Sequence, residues 1–93
     1  MFGQERLEKQ LLFKHKEKQS LEEAARFFEN VAAKLRENGE CSFIQDDEEV
    51  SLRPAKNVTY EIEYTQKGKK HSFEFELEWI EGDDSEDPKL RIR

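Results

Sequence analysis

The sequence has little of what builds disulfide scaffolds, membrane spans or nucleic-acid interfaces. Its one cysteine, Cys41, excludes an internal disulfide and argues against a small secreted scaffold. It has no apolar run near the ~20 residues of a membrane span, and its first residues lack the basic-then-apolar layout of a signal peptide. These absences predict a soluble cytoplasmic protein that does not enter the membrane.

Basic residues are outnumbered as well. The chain has 16 Lys and Arg against 22 Asp and Glu, a net charge of −6 at pH 7. Because duplex nucleic acid is bound mainly by Lys and Arg that neutralise phosphates, this charge argues against a nucleic-acid binder. Of the 93 residues, 34% are hydrophobic and 11% aromatic, which suits one domain with a small core of large side chains. We divide the chain into a lead-in at 1–10, a domain at 11–80 and an acidic tail at 81–93.

The strongest pattern is a strict alternation of apolar and polar residues over 58–64 and 73–79. Such alternation predicts two strands with one buried and one wet face, here joined by a turn at 66–70. The apolar side, which we expect to form most of the core, comprises Val58, Tyr60, Ile62, Tyr64, Phe73, Phe75, Leu77 and Trp79. The polar side carries Glu61, Glu63, Glu74, Glu76 and Glu78.

A weaker alternation over residues 11–18 predicts a first strand. Its apolar side holds Leu11, Phe13 and His15, and its polar side holds Lys14, Lys16 and Lys18. Opposite charges on neighbouring strands contribute roughly 0.2–1 kcal/mol per pair, and like charges cost a comparable amount. Because the glutamate rows repel each other, we expect this lysine strand to join the same sheet beside them.

Residues 20–38 are predicted to form a helix. Ser20 is an N-cap candidate with Glu23 three residues later, a capping-box pattern, and Gly39 fits the left-handed residue that closes a helix. One apolar stripe comprises Leu21, Ala24, Ala25, Phe28, Val31, Ala32 and Leu35, with Phe27 at its edge. Its small alanines allow the helix to approach the sheet closely.

A second, shorter hairpin is predicted where 41–45 and 50–53 flank the polar turn 46–49. Pro54, which cannot donate to a strand ladder, ends it or marks an edge. The predicted fold class is therefore α+β. A single, mostly antiparallel sheet, in the chain order β-α-β-β-β-β, carries one helix packed on its apolar face.

These pieces, in this order, resemble the amphi-Trp domain, a small prokaryotic family named for the amphipathic stretch before its tryptophan. The resemblance covers roughly residues 12–79. It rests on the lysine-rich first strand, the capped helix from Ser20, Gly39 after it, and strands that end on Glu78 and Trp79. It implies this fold and a bacterial or archaeal cytoplasm. The family has no established activity and no assigned catalytic residues, so the resemblance implies no site and no cofactor.

Catalysis has few candidate residues. Cys41, His15 and His71 are the only Cys and His residues, and they meet only if their strands pair in a favourable register. A nucleophile needs a base within reach, and zinc needs three or four protein ligands, so a small buried thiol and two surface imidazoles are expected instead. The glutamate face lacks the concave wall of an acid/base site, which leaves loose binding of a cation or basic partner, or a solvated face. We predict no enzyme, no cofactor and no metal.

The sequence leaves open the roles of the lysine-rich turn at 67–70 and of Trp79. Lys67, Lys69 and Lys70 form a basic turn, but single-strand nucleic-acid platforms also need exposed aromatic rings, and the rings here are expected in the core. Trp79 suits a core filler or a partly exposed contact residue.

The sequence favours a small cytoplasmic interaction module that presents its charged face, or a sheet edge, to a protein partner or a second copy of itself. The alternative is a weak nucleic-acid-binding module that uses the first-strand lysines and the 67–70 turn. The candidate interaction surface comprises Glu61, Glu63, Glu74, Glu76, Glu78, Lys14, Lys16, Lys18 and Trp79.

Overall fold

The computed structural model describes residues 7–83, which contain one helix and four strands. The elements are α1 (Leu21–Asn38), β1 (Cys41–Gln45), β2 (Glu48–Leu52), β3 (Thr59–Lys67) and β4 (Lys70–Glu78). The α+β class is confirmed. Within these residues, no helix has the length and apolarity needed to cross a membrane. Residues 1–6 of the predicted lead-in and 84–93 of the predicted acidic tail lie outside the described part.

Helix α1 begins and ends at the capping residues that the sequence predicts. The Ser20 hydroxyl accepts the backbone N–H of Glu23 at 3.1 Å. Gly39 lies in the left-handed region at φ 71°, and its N–H donates to the Leu35 carbonyl at 3.0 Å. The Glu23 carboxylate accepts a hydrogen bond from Arg26 at 3.2 Å, which adds an i,i+3 ion pair to the first turns.

The strands form two separate antiparallel sheets of two strands each, β1–β2 and β3–β4, so the single predicted sheet is wrong. The link at residues 53–58 contains Pro54, which has no N–H to continue a ladder after β2. The predicted bounds of the shorter hairpin also need correction, because β2 begins at Glu48 and the turn shrinks to Asp46 and Asp47. Asp46 adopts φ 55°, the positive φ that tight two-residue hairpin turns require.

The predicted first strand is also wrong, because residues 11–18 form no strand. The Phe13 ring stacks on Phe43 at 5.4 Å, and His15 Nδ1 lies 3.2 Å from Gln45 Nε2, so the segment runs along β1 and not beside the glutamates. Leu11 remains exposed. One stacked ring gives too little burial to offset an ordering cost of about 1–2 kcal/mol per residue.

Helix α1 bridges the two hairpins through two successive residues. Phe27 stacks on Phe43 of β1 at 6.2 Å, and Phe28 meets Phe75 of β4 edge-on at 5.8 Å. Successive helical residues point about 100° apart, which allows one helix to touch both sheets. The core is small: Cys41, 8% exposed, is the one buried hydrophobic residue within 7–83.

Candidate interaction surface

The register of the β3–β4 hairpin collects its apolar side chains on one face. The cross-strand pairs are Tyr60 with Leu77, Ile62 with Phe75 and Tyr64 with Phe73. Residues two apart on a strand share a face, so these six side chains form one continuous patch, called here the aromatic face. The predicted alternation therefore produces the predicted hairpin, but its bounds differ. The ladder runs from the pair of Thr59 and Glu78 to the pair of Lys67 and Lys70, so the predicted turn at 66–70 is too long, and Val58 and Trp79 lie outside the strands.

The aromatic face is not the buried core that the sequence predicts. Tyr60 is 64% exposed, Ile62 55%, and Tyr64 and Phe73 66% each. The physical reason is the position of α1, which divides its contacts between two hairpins and meets this face through the contact of Phe28 with Phe75. Because one helix is shared between two sheets, it leaves the part of the β3–β4 sheet toward the hairpin tip uncovered.

Ring contacts within the hairpin hold the exposed side chains in place. Tyr60 stacks on Phe75 at 5.9 Å, with ring planes 15° apart. Tyr64 stacks on His71 at 5.7 Å, and its hydroxyl lies 2.6 Å from His71 Nδ1. Aromatic pairs contribute ~0.5–1.5 kcal/mol beyond their buried area. These contacts restrain the side chains of Tyr60, Tyr64 and Phe75 on the hairpin.

The opposite face of the same hairpin carries the five glutamates. Glu61 faces Glu76 and Glu63 faces Glu74 directly across the ladder, with Glu78 one step further along β4. A hydrogen bond with Glu76, and the repulsion of the Glu76 charge, raise the pKa of the Glu78 carboxyl above its ordinary value. The carboxylates repel each other across an exposed surface, and the predicted lysine strand is not there to relieve them.

An apolar cavity of about 600 Å³ separates α1 from the base of the longer hairpin. Its walls are formed by Phe28, Val31, Ala32, Leu35, Leu52, Phe75, Leu77 and Trp79. The cavity is partly open to solvent, so the chain's own side chains leave its apolar walls incompletely covered. Trp79 is half-buried at its wall, between the core and the surface.

The residues considered for catalysis lie apart. Cys41 is buried opposite Leu52, whereas His15 pairs with Glu17 at 3.3 Å and His71 with Tyr64. In the described residues, no group of three or more His, Cys, Asp or Glu side chains could hold a metal ion. Among residues 7–83, neither histidine is paired with the Cys41 thiol.

The predicted basic residues occupy two places. Lys14, Lys16 and Lys18 are exposed in the segment along β1. Lys67 faces Lys70 across the ladder at the tip of the longer hairpin, where Gly68 and Lys69 form the turn. The Tyr64 and Phe73 rings on the same hairpin are exposed, so the expectation that the rings are in the core is wrong, but the register places Lys67 and Lys70 on the opposite face from these rings.

Comparison with known proteins identifies one family. The sequence model described as the Amphi-Trp domain matches residues 6–93, a longer span than the resemblance at 12–79. No curated protein and no solved structure matches the chain.

Proposed function

The chain belongs to the amphi-Trp domain family, and on that premise we propose that it is a cytoplasmic, non-enzymatic module that binds a protein through its β3–β4 hairpin. The exposed aromatic face carries this proposal. Its single cysteine suits a reducing compartment.

The size of the aromatic face supports a binding role. A large aromatic side chain buries about 150–250 Å². At the exposures of Tyr60, Ile62, Tyr64, Phe73 and Phe75, the patch offers on the order of 450–750 Å². The largest apolar patch on a typical monomer is ~300–600 Å² and is often functional, so this one lies in the upper part of that range or above it. Tyr and Phe are also the residue types enriched in protein interfaces.

Charged residues of the hairpin lie away from the aromatic face and would act on the rate of encounter. Glu61, Glu63, Glu74, Glu76 and Glu78 form the acidic back of the hairpin. Such a row accelerates encounter with basic surfaces and slows encounter with acidic ones, without entering a contact made through the aromatic face. Trp79 extends the contact surface at the base of the hairpin. Lys14, Lys16 and Lys18 form a separate basic strip along β1.

The test compares two matched double variants from neighbouring steps of one ladder. Tyr64→Ser with Phe73→Ser removes one ring pair from the aromatic face, and Glu63→Gln with Glu74→Gln neutralises the next pair on the acidic face. Tagged chain is incubated with untagged chain and with nuclease-treated lysate of the source organism. We expect a retained protein, either the chain itself or another, that the Ser variant loses and the Gln variant keeps. Retention of no protein by the wild-type chain, or equal retention by the folded Ser variant, would refute the proposal.

A second candidate function is weak binding of single-stranded nucleic acid at the hairpin tip. The observation that favours it is the exposure of the Tyr64 and Phe73 rings on the hairpin whose tip carries Lys67, Lys69 and Lys70, since such sites combine stacking rings with basic side chains. The register opposes it, because Lys67 and Lys70 lie on the other face from the rings. The net charge of −6 opposes it. Anisotropy of a labelled single-stranded RNA should then fall steeply between about 50 and 200 mM salt, whereas an apolar protein contact should barely change.

A further inference from the structure

We propose that the occupant of the aromatic face is a second copy of this chain, packed face to face about a two-fold axis near the Ile62–Phe75 pair. The inference rests on the proposed function, because it identifies the partner of the same surface. Three observations support it: the area of the face, the distribution of charge and the unfilled cavity at its base.

The area of the face suits a dimer. Two copies of the aromatic face would bury on the order of 900–1,500 Å² in total, from the exposures of its five large side chains. A specific interface generally needs at least ~1,000 Å². The pair therefore falls in the size range of a small stable or transient dimer.

The charge distribution also permits two identical surfaces to meet. Each chain carries −6, yet none of the six residues of the aromatic face is charged, and the five hairpin glutamates lie on the opposite face. A two-fold interface requires a patch that is complementary to itself. An uncharged apolar patch meets that condition without burial of a carboxylate, and the acidic faces point outward on both sides of the dimer.

The cavity supplies a place for the exposed rings. Strands rise ~3.3–3.4 Å per residue, so the Tyr64–Phe73 pair lies about 7 Å to one side of Ile62–Phe75 and the Tyr60–Leu77 pair about 7 Å to the other. A two-fold axis that lies in the plane of the interface and runs across the strands at the central pair places the tip rings of one copy over the base of the other.

Leu77, at that base, also forms part of the wall of the 600 Å³ cavity. A single chain thus has both an unfilled apolar cavity and a pair of unburied rings. The Tyr64 and Phe73 rings belong to the same hairpin that forms one wall of the cavity, so they cannot fold back into it. The same rings of a second copy can fill it. Face-to-face sheets pack ~10 Å apart, which leaves room for rings of this size.

The experiment uses the full chain after nuclease treatment. Light scattering coupled to gel filtration should give twice the chain mass for the wild type and the chain mass for the Tyr64→Ser, Phe73→Ser double variant. Tyr64→Phe, which keeps the ring, should remain a dimer. Circular dichroism establishes that each variant is folded.

Cross-linking then locates the axis without removing an aromatic ring. In a Cys41→Ser background, Ile62→Cys should give a covalent dimer with a short bifunctional maleimide. Glu63→Cys, the neighbouring residue on the acidic face, should give several-fold less.

Three results would overturn the inference: a monomeric wild-type chain, a dimer that survives in the folded Ser variant, or equal cross-linking at positions 62 and 63. A wild-type monomer that still retains another protein through the aromatic face would leave the proposed function standing. A wild-type monomer that binds single-stranded RNA would favour the second candidate.

Discussion

The two hairpins of this molecule are covered very differently. In β1–β2, with strands of five residues, the Phe43 ring contacts both Phe13 and Phe27, and Cys41 is buried. In β3–β4, with strands of nine residues, Tyr64 and Phe73 are each 66% exposed. The hairpin with the stronger apolar alternation is therefore the less buried one. Alternation shows that a strand has an apolar face, but it does not show which molecule covers that face.

The largest expected difference between the hairpins comes from matched phenylalanine substitutions. Phe43→Ala removes the ring that joins the segment 11–18, the helix and β1, and should cost about 2–4 kcal/mol of unfolding free energy. Phe73→Ala removes a mostly exposed ring and should cost less than about 1 kcal/mol in dilute solution. Urea unfolding followed by circular dichroism measures both. Equal losses would mean that the two hairpins are covered alike.

The turns of the two hairpins should differ by a smaller amount. Gly68 adopts φ 60° in the longer hairpin, with open space where an added methyl group would lie, so Gly68→Ala introduces backbone strain of about 1–2 kcal/mol without a clash. Gly68→Asn should recover part of that loss, because asparagine tolerates positive φ.

In the shorter hairpin Asp46 already adopts φ 55°, so Asp46→Asn should change stability by less than about 0.5 kcal/mol. Thermal unfolding of the three variants tests this ranking. A Gly68→Ala protein as stable as the wild type would contradict the turn geometry.

The smallest expected effect is a pH dependence of the longer hairpin. The hydrogen bond with Glu76 and its charge raise the pKa of Glu78 in the folded state, so the folded chain binds more protons than the unfolded chain between the ordinary and the raised pKa. Protonation of Glu78 therefore stabilises the fold as the pH falls from neutral to between the raised and the ordinary pKa. This contribution is lost as the pH rises through the raised pKa. Glu78→Gln should flatten the slope of melting temperature against pH.

The matched control for that slope is in the shorter hairpin. Glu49 faces Ile44 across the ladder, without a carboxylate directly opposite, so Glu49→Gln should leave the slope unchanged. If the Glu78→Gln protein keeps the wild-type slope of melting temperature against pH, the Glu76–Glu78 contact does not contribute to the pH dependence.

The local elements of the fold could be predicted from the sequence because their signals are local. Ser20 and Gly39 determine the ends of α1 through hydrogen bonds to residues three or four positions away. The alternation over 58–64 and 73–79 likewise determined which side chains share a face. The family followed from the order of these pieces.

The long-range arrangement could not be predicted in the same way. Nothing local to Phe27 indicates that it packs on β1 while its neighbour Phe28 packs on β4, and this division leaves the aromatic face uncovered. The lysines at 14–18 suggested a strand by charge complementarity. Pair energies of roughly 0.2–1 kcal/mol are too small to order a segment that lacks apolar partners.

The repelling glutamates have a consequence for the behaviour of the chain at high concentration. Two separate two-stranded sheets leave the outer edges of both hairpins unpaired within residues 7–83. Such edges invite strand-by-strand growth into fibrils. A copy added in register beside β3 or β4 would bring a second row of carboxylates to within about 4.8 Å of the first. We therefore expect the acidic face to oppose fibril formation, and this opposition to weaken as its carboxylates become protonated.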